Sequence, residues 1–146
     1  MIILANLKAF LKRKDIVLSP RRYGIDALGA MAQGLFCSLL VGTIVKTLGQ
    51  QLGLQFLIDT GDFASAMSGA AMAVAIGYAL KAPALVLFSL ATVGYAANSL
   101  GGAGGPLAVL LIAIVAAEFG KAQVIAPLGK ILLFHGERHR LGGVLL

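Results

Sequence analysis

The sequence predicts an all-α protein: a polytopic bundle of about four transmembrane helices with its amino terminus in the cytoplasm. Three observations predict it. Residues 27–117 carry only four formal charges, Lys46, Asp59, Asp62 and Lys81, with Asp26 and Glu118 at the rims. A hydrocarbon core about 30 Å thick needs about 20 apolar helical residues, and the uncharged runs 27–45, 63–80 and 82–100 hold 19, 18 and 19. Finally, 59% hydrophobic residues, 12% charged residues and a mean hydropathy of +0.93 leave too few polar side chains to clothe an aqueous surface.

The first 26 residues read as a basic amphipathic segment. Leu4, Leu7 and Leu11 share a helical face with Phe10 beside them, and Lys8 and Lys12 lie on another. Such a helix suits the inner membrane surface. Six of the twelve basic residues precede the first span, whereas 46–62 holds one Lys against two Asp, which orients the amino terminus inward. That placement is membrane orientation rather than a phosphate-binding stripe, so no nucleic-acid partner is expected. A cleaved signal peptide fits poorly, because a 19-residue apolar run exceeds an h-region and further spans follow it.

Residues 27–125 then form the bundle, with spans at about 27–45, 63–80, 82–100 and 106–125. Residues 46–62 are expected as a loop. Asp62, just before Phe63, is placed to cap the first amides of span two. Lys81, Ala82 and Pro83 stop one helix and start another, giving spans two and three a tight inner hairpin. The linker Gly101, Gly102, Ala103, Gly104, Gly105 and Pro106 leads either to a full fourth crossing or to a re-entrant hairpin. A full crossing returns Lys121, Lys130, Arg138 and Arg140 to the inside, so the charges favour it. Residues 126–146 are then a cytoplasmic tail.

Helices in lipid associate by close packing, and small residues four apart let backbones approach. Ala30, Gly34, Ser38 and Gly42 line one face of span one; Ser65, Gly69, Ala73 and Gly77 line one face of span two; Gly94, Asn98 and Gly102 follow in span three. Their reading is structural packing, and glycines at such faces also permit the sliding that carriers need.

Signatures of catalysis are missing: there is no nucleophile elbow, phosphate loop or cysteine pair, and no cofactor motif. Cys37 reads as a small packing residue inside span one. His135 and His139 have metal-compatible spacing but no further ligand nearby, so no metal site is assigned. Asn98 must satisfy its amide near the membrane, by a neighbouring helix or by a polar solute. With Gly101, Gly102, Gly104 and Gly105, whose backbone can be exposed beside it, Asn98 forms the candidate binding region for a small polar solute. Glu118 either pairs with Lys121 three residues on, at the interface, or lines an inward-facing cavity.

The stretch 23–121, with YGIDALGAMAQGLFCSLLVGTIVKTLGQQLG at its start, AMAVAIGYALKAPALVLFS at its centre and GGPLAVLLIAIVAAEFGK at its close, resembles the amino-terminal half of the EIIC-like membrane proteins of the bacterial sugar phosphotransferase system. More narrowly it resembles the perfringolysin regulator-like branch. The matching patterns are Tyr23, Gly24 and Asp26 before span one, the Lys81, Ala82, Pro83 turn, and Gly105 and Pro106 through Glu118, Gly120 and Lys121. The resemblance implies a permease in the bacterial cytoplasmic membrane that moves a sugar-like solute, with phosphorylation supplied by separate EIIA and EIIB components. For this branch it also implies the alternative of a membrane-embedded regulator without transport activity. After Lys121 the sequence departs from the pattern, which reads as a fragment, a truncated product or a half-size form. Carriers commonly place the solute between two halves, so a homo-oligomer or a missing second half is expected.

Overall fold

The computed structural model describes the backbone of residues 1–13 and 19–142, and the side chains of residues 1–13 and 19–123. It is an all-α helical bundle, with no strand among the described residues. The first helix, α1 (Ile2–Arg13), is exposed along nearly its whole length and ends on Lys12 and Arg13, cations that suit the negative end of a helix.

The bundle begins at Ser19, whose carbonyl accepts the Tyr23 amide at 3.2 Å, with Pro20 opening the helix where its missing N–H costs nothing. A π-helical turn, Arg22–Asp26, runs straight into α2 (Ala27–Leu52). That helix ends on Gly53, left-handed at φ 66°, with the Gly53 and Leu54 amides both bonded to the Gly49 carbonyl. An L side chain is strained in that conformation.

α3 (Gln55–Ala66) and α4 (Ser68–Ala79) are separated by Met67 alone. The Met67 amide still bonds Phe63 and its carbonyl accepts Ala71, both at 3.0 Å, so the two make one bent rod. This corrects the loop expected over 46–62. The chain stays helical to Leu52 and resumes at Gln55, so Asp62 lies inside α3 and caps nothing. Its carboxylate instead takes the Lys46 ammonium at 2.7 Å across the α2–α3 pair. Gly42 and Gly61 allow these helices to touch, and the opposite charges that read as loop polarity compensate each other.

The turn at Lys81, Ala82 and Pro83 forms where the sequence places it: Lys81 adopts φ 57°, Pro83 is extended, and α5 (Ala84–Leu100) starts directly after. A short 3₁₀ turn, Gly102–Gly104, with Gly102 at φ 53°, reverses the chain into α6 (Gly105–Gly142). α6 continues without interruption past residue 125, where a tail was expected to begin.

From α2 onward, α2, the α3–α4 rod, α5 and α6 run antiparallel in turn, as the close approaches of Gly34 to Ala71 and Gly42 to Gly61, of Gly69 to Gly94 and Gly77 to Leu90, and of Gly105 to Asn98 and Gly120 to Val86 require. α4 is the central element, packed against α2, α5 and α6. It buries Met72, Ala73 and Ile76 completely, and they meet Val86 and Leu90 of α5 and Val109, Ala113 and Ala117 of α6. Among the described residues two helices, Arg22–Leu52 and Gly102–Gln123, are long and apolar enough to cross a membrane; Ser68–Ala79 and Ala84–Leu100 are shorter apolar helices.

Candidate functional site

The residues singled out in the sequence divide between the two ends of the bundle. At the Gly101 end, Asn98 is wedged between Gly69 of α4 and Gly105 of α6. A methyl group on Gly69 would lie 2.6 Å from the Gly94 carbonyl and run into Asn98, and one on Gly105 would lie 2.5 Å from the Asn98 Oδ1. Three helices thus converge on this one amide. Among the described residues it makes no hydrogen bond and is half-buried. Gly101 packs closely on Gly105 and Ala108, whereas Gly102 and Gly104 face open space. The expected loop is therefore half packing element, half exposed backbone.

Glu118 is at the opposite end. It follows Gly105 by thirteen residues on α6, about 20 Å at 1.5 Å per residue, so it shares no site with Asn98. Its carboxylate pairs with the Lys121 ammonium at 3.0 Å, as the three-residue spacing suggests. The pair is not an exposed interfacial one: the Lys121 side chain is 0% exposed and that of Glu118 16%. Lys121 also donates to the Leu80 carbonyl at 2.8 Å, and Arg22 donates to the same oxygen at 2.9 Å. The last carbonyls of α4 have no partner within the helix and form its negative end, which is why two cations converge there. The Tyr23 hydroxyl is buried in the same region. It lies beside the Glu118 carboxylate, and burial together with that negative charge raises the Tyr23 hydroxyl above its ordinary pKa.

No window of the sequence marks Arg22, Leu80 and Lys121 as a cluster, because the bonds that assemble them join residues 41 and 58 apart. Sequence supplies only the cation at the first helical turn and the helix stop at Lys81.

The small-residue series serve different neighbours. A methyl on Gly34 would lie 2.8 Å from the Ala71 carbonyl carbon, Gly42 presses on Gly61 and Ser65, and the Ser38 hydroxyl donates to the Ala64 carbonyl, so this face joins α2 to α3 and α4. Gly69 and Ala73 meet Gly94, and Gly77 meets Leu87 and Leu90, joining α4 to α5. Cys37 is exposed. Among the described residues no three His, Cys, Asp or Glu cluster as metal ligands, and the side chains of His135 and His139 lie outside them.

Residues 25–134, three-quarters of the chain, match the family described as Phosphotransferase system, EIIC. The chain belongs to that family. The EIIC match begins in the π-helical turn, takes in α2, α3, α4 and α5, and includes Asn98, the glycine turn and the Glu118–Lys121 pair. It also continues through residues 122–134, thirteen residues beyond the point at which the sequence was expected to depart from the EIIC pattern. No curated protein and no solved structure matches the chain.

Proposed function

We propose that this chain is the membrane-embedded subunit of a phosphotransferase-type permease for a sugar or a related polar solute, working with separate EIIA and EIIB components. The observation that carries the reading is the EIIC match over residues 25–134. We read the bundle as crossing the bacterial cytoplasmic membrane four times, with segment 1–26 on the inner surface, 27–125 in the bilayer and the tail 126–146 inside. The charge distribution supports this orientation: Arg21, Arg22, Lys81 and Lys121 gather at one end, while the other end carries an uncharged glycine turn and a Lys46 offset by Asp62. Large apolar side chains such as Phe36, Phe63, Phe88, Leu107 and Phe119 point outward, which a lipid solvent accommodates and water does not.

In this reading Asn98 is the solute contact, with Gly102 and Gly104 presenting backbone beside it on the outer side. Glu118 holds Lys121 at the inner end, and a second copy or second half completes the pathway between two repeats. A second reading, a membrane-embedded regulator without transport, is favoured by α1, whose exposed basic face offers a soluble partner a surface. Vesicles holding the chain, with EIIA and EIIB supplied, separate the two. Accumulation of a phosphorylated sugar supports the permease; capture of a soluble partner without flux supports the regulator.

A further inference from the structure

Two hollows of different character share a wall at the Lys81 end. The smaller, about 270 Å³, is lined by Ser19, Arg21, Arg22, Asp26, Ala79 and Lys81. The larger, about 1090 Å³, begins at the same Asp26 and Ala79 and runs as an apolar groove between α2 and α3–α4, past Gly29 and Cys37 to Val41. We propose that together they hold one anionic phospholipid of the cytoplasmic leaflet, its phosphate against Arg21, Arg22 and Lys81 and an acyl chain in the groove. This rests on the membrane orientation proposed above.

The charges select the headgroup. Three cations face one carboxylate, Asp26, leaving the small hollow positive. Guanidinium groups hold phosphate by paired N–H donors, and basic pockets on the cytoplasmic side of helix bundles suit anionic headgroups. The Leu80 carbonyl fixes Arg22 in place, while Arg21 and Lys81 are exposed and able to close on a ligand. The groove selects the tail. From Asp26 to Val41 is fifteen residues of helical rise, about 22 Å, longer than one leaflet's share of a core about 30 Å thick. A free phosphate would use only the cationic hollow, a neutral lipid only the groove, and a helix from a second copy would need no cations. The continuity of the two fits an anionic amphiphile.

The test is native mass spectrometry of the full chain, purified and delipidated in detergent, titrated with phosphatidylglycerol and with phosphatidylcholine of the same acyl chains. Phosphatidylglycerol is expected to bind at least about 10-fold more tightly. The double variant Arg21→Gln/Lys81→Asn, whose Asn tolerates the left-handed backbone at 81, is expected to lose on the order of 30-fold, from two surface cations. Ala75→Phe, which fills the groove and leaves the charges, is expected to weaken the lipid as well, and millimolar inorganic phosphate is expected not to displace it. Equal binding of the two lipids, or no effect of the charge variant in a protein of unchanged helicity, overturns the site. Displacement by inorganic phosphate with no effect of Ala75→Phe makes it a free-phosphate site and overturns the lipid. A dimer that Ala75→Phe dissolves, without lipid preference, gives the groove to a second copy. Alkaline carbonate extraction of cell membranes containing the chain is read separately: release of the chain refutes the membrane placement itself, whereas retention without phosphatidylglycerol preference refutes only the lipid site.

Discussion

The Lys121 ammonium donates to the Leu80 carbonyl at 2.8 Å, tying α6 to the end of the central helix α4 across 41 residues of sequence. Arg22 joins it on the same oxygen, so the start of α2 is fastened to the same point. One carbonyl, left open because Lys81 turns the chain, organises this end of the bundle.

Lys121→Met leaves the Glu118 carboxylate without its cation in a largely buried setting. Breaking such a pair costs about 3–5 kcal/mol, and thermal unfolding in detergent should register a loss of that order. Glu118→Gln, which keeps a hydrogen-bonding group beside Lys121, should cost less but remain measurable. Wild-type stability in Lys121→Met would remove the pair from any structural role.

Three glycines separate crowding from backbone strain. Gly94→Ala places a methyl against the Gly69 carbonyl and Ala73, forcing α4 and α5 apart, at a cost of about 1–3 kcal/mol. Gly102→Ala meets no atom but must hold φ 53°, costing about 1–2 kcal/mol. Gly104→Ala has neither problem and should unfold with the parent. Melting curves of the three variants in one detergent check the order.

Asn98→Leu should abolish solute binding while leaving the protein folded, because the replacement is similar in size but cannot hydrogen-bond. Titration of the purified variant with a transported sugar checks this. Unchanged affinity would move the solute contact elsewhere.

Sidedness follows from the two turns. In a Cys37→Ser background, Ala103→Cys should react with a membrane-impermeant thiol reagent from outside intact cells, and Lys81→Cys only after the cells are opened. The reverse pattern would invert the bundle.

Much of this arrangement is legible locally. The Lys81, Ala82, Pro83 turn is written in helix-stop and helix-start chemistry, the Glu118–Lys121 pair in its spacing, and the glycine series in their four-residue period. The helical course of residues 46–62 is not, because Lys46 and Asp62 look like loop polarity until α2 and α3 lie side by side and pair them. The separation of Asn98 from Glu118, by contrast, is legible, because thirteen residues of helix between Gly105 and Glu118 rise about 20 Å. The convergence of Arg22 and Lys121 on Leu80 is a tertiary event between distant segments, and no window along the chain reports it.

The most direct test of the EIIC permease account is sugar uptake by sealed vesicles containing the chain, with EIIA and EIIB components and a phosphoryl donor, across a panel of hexoses, hexitols and disaccharides. The account predicts that at least one sugar accumulates inside as its phosphate and that Asn98→Leu abolishes this. Absence of accumulation for every sugar, with the chain inserted in the membrane and bound to a soluble partner, would contradict it and leave a regulator.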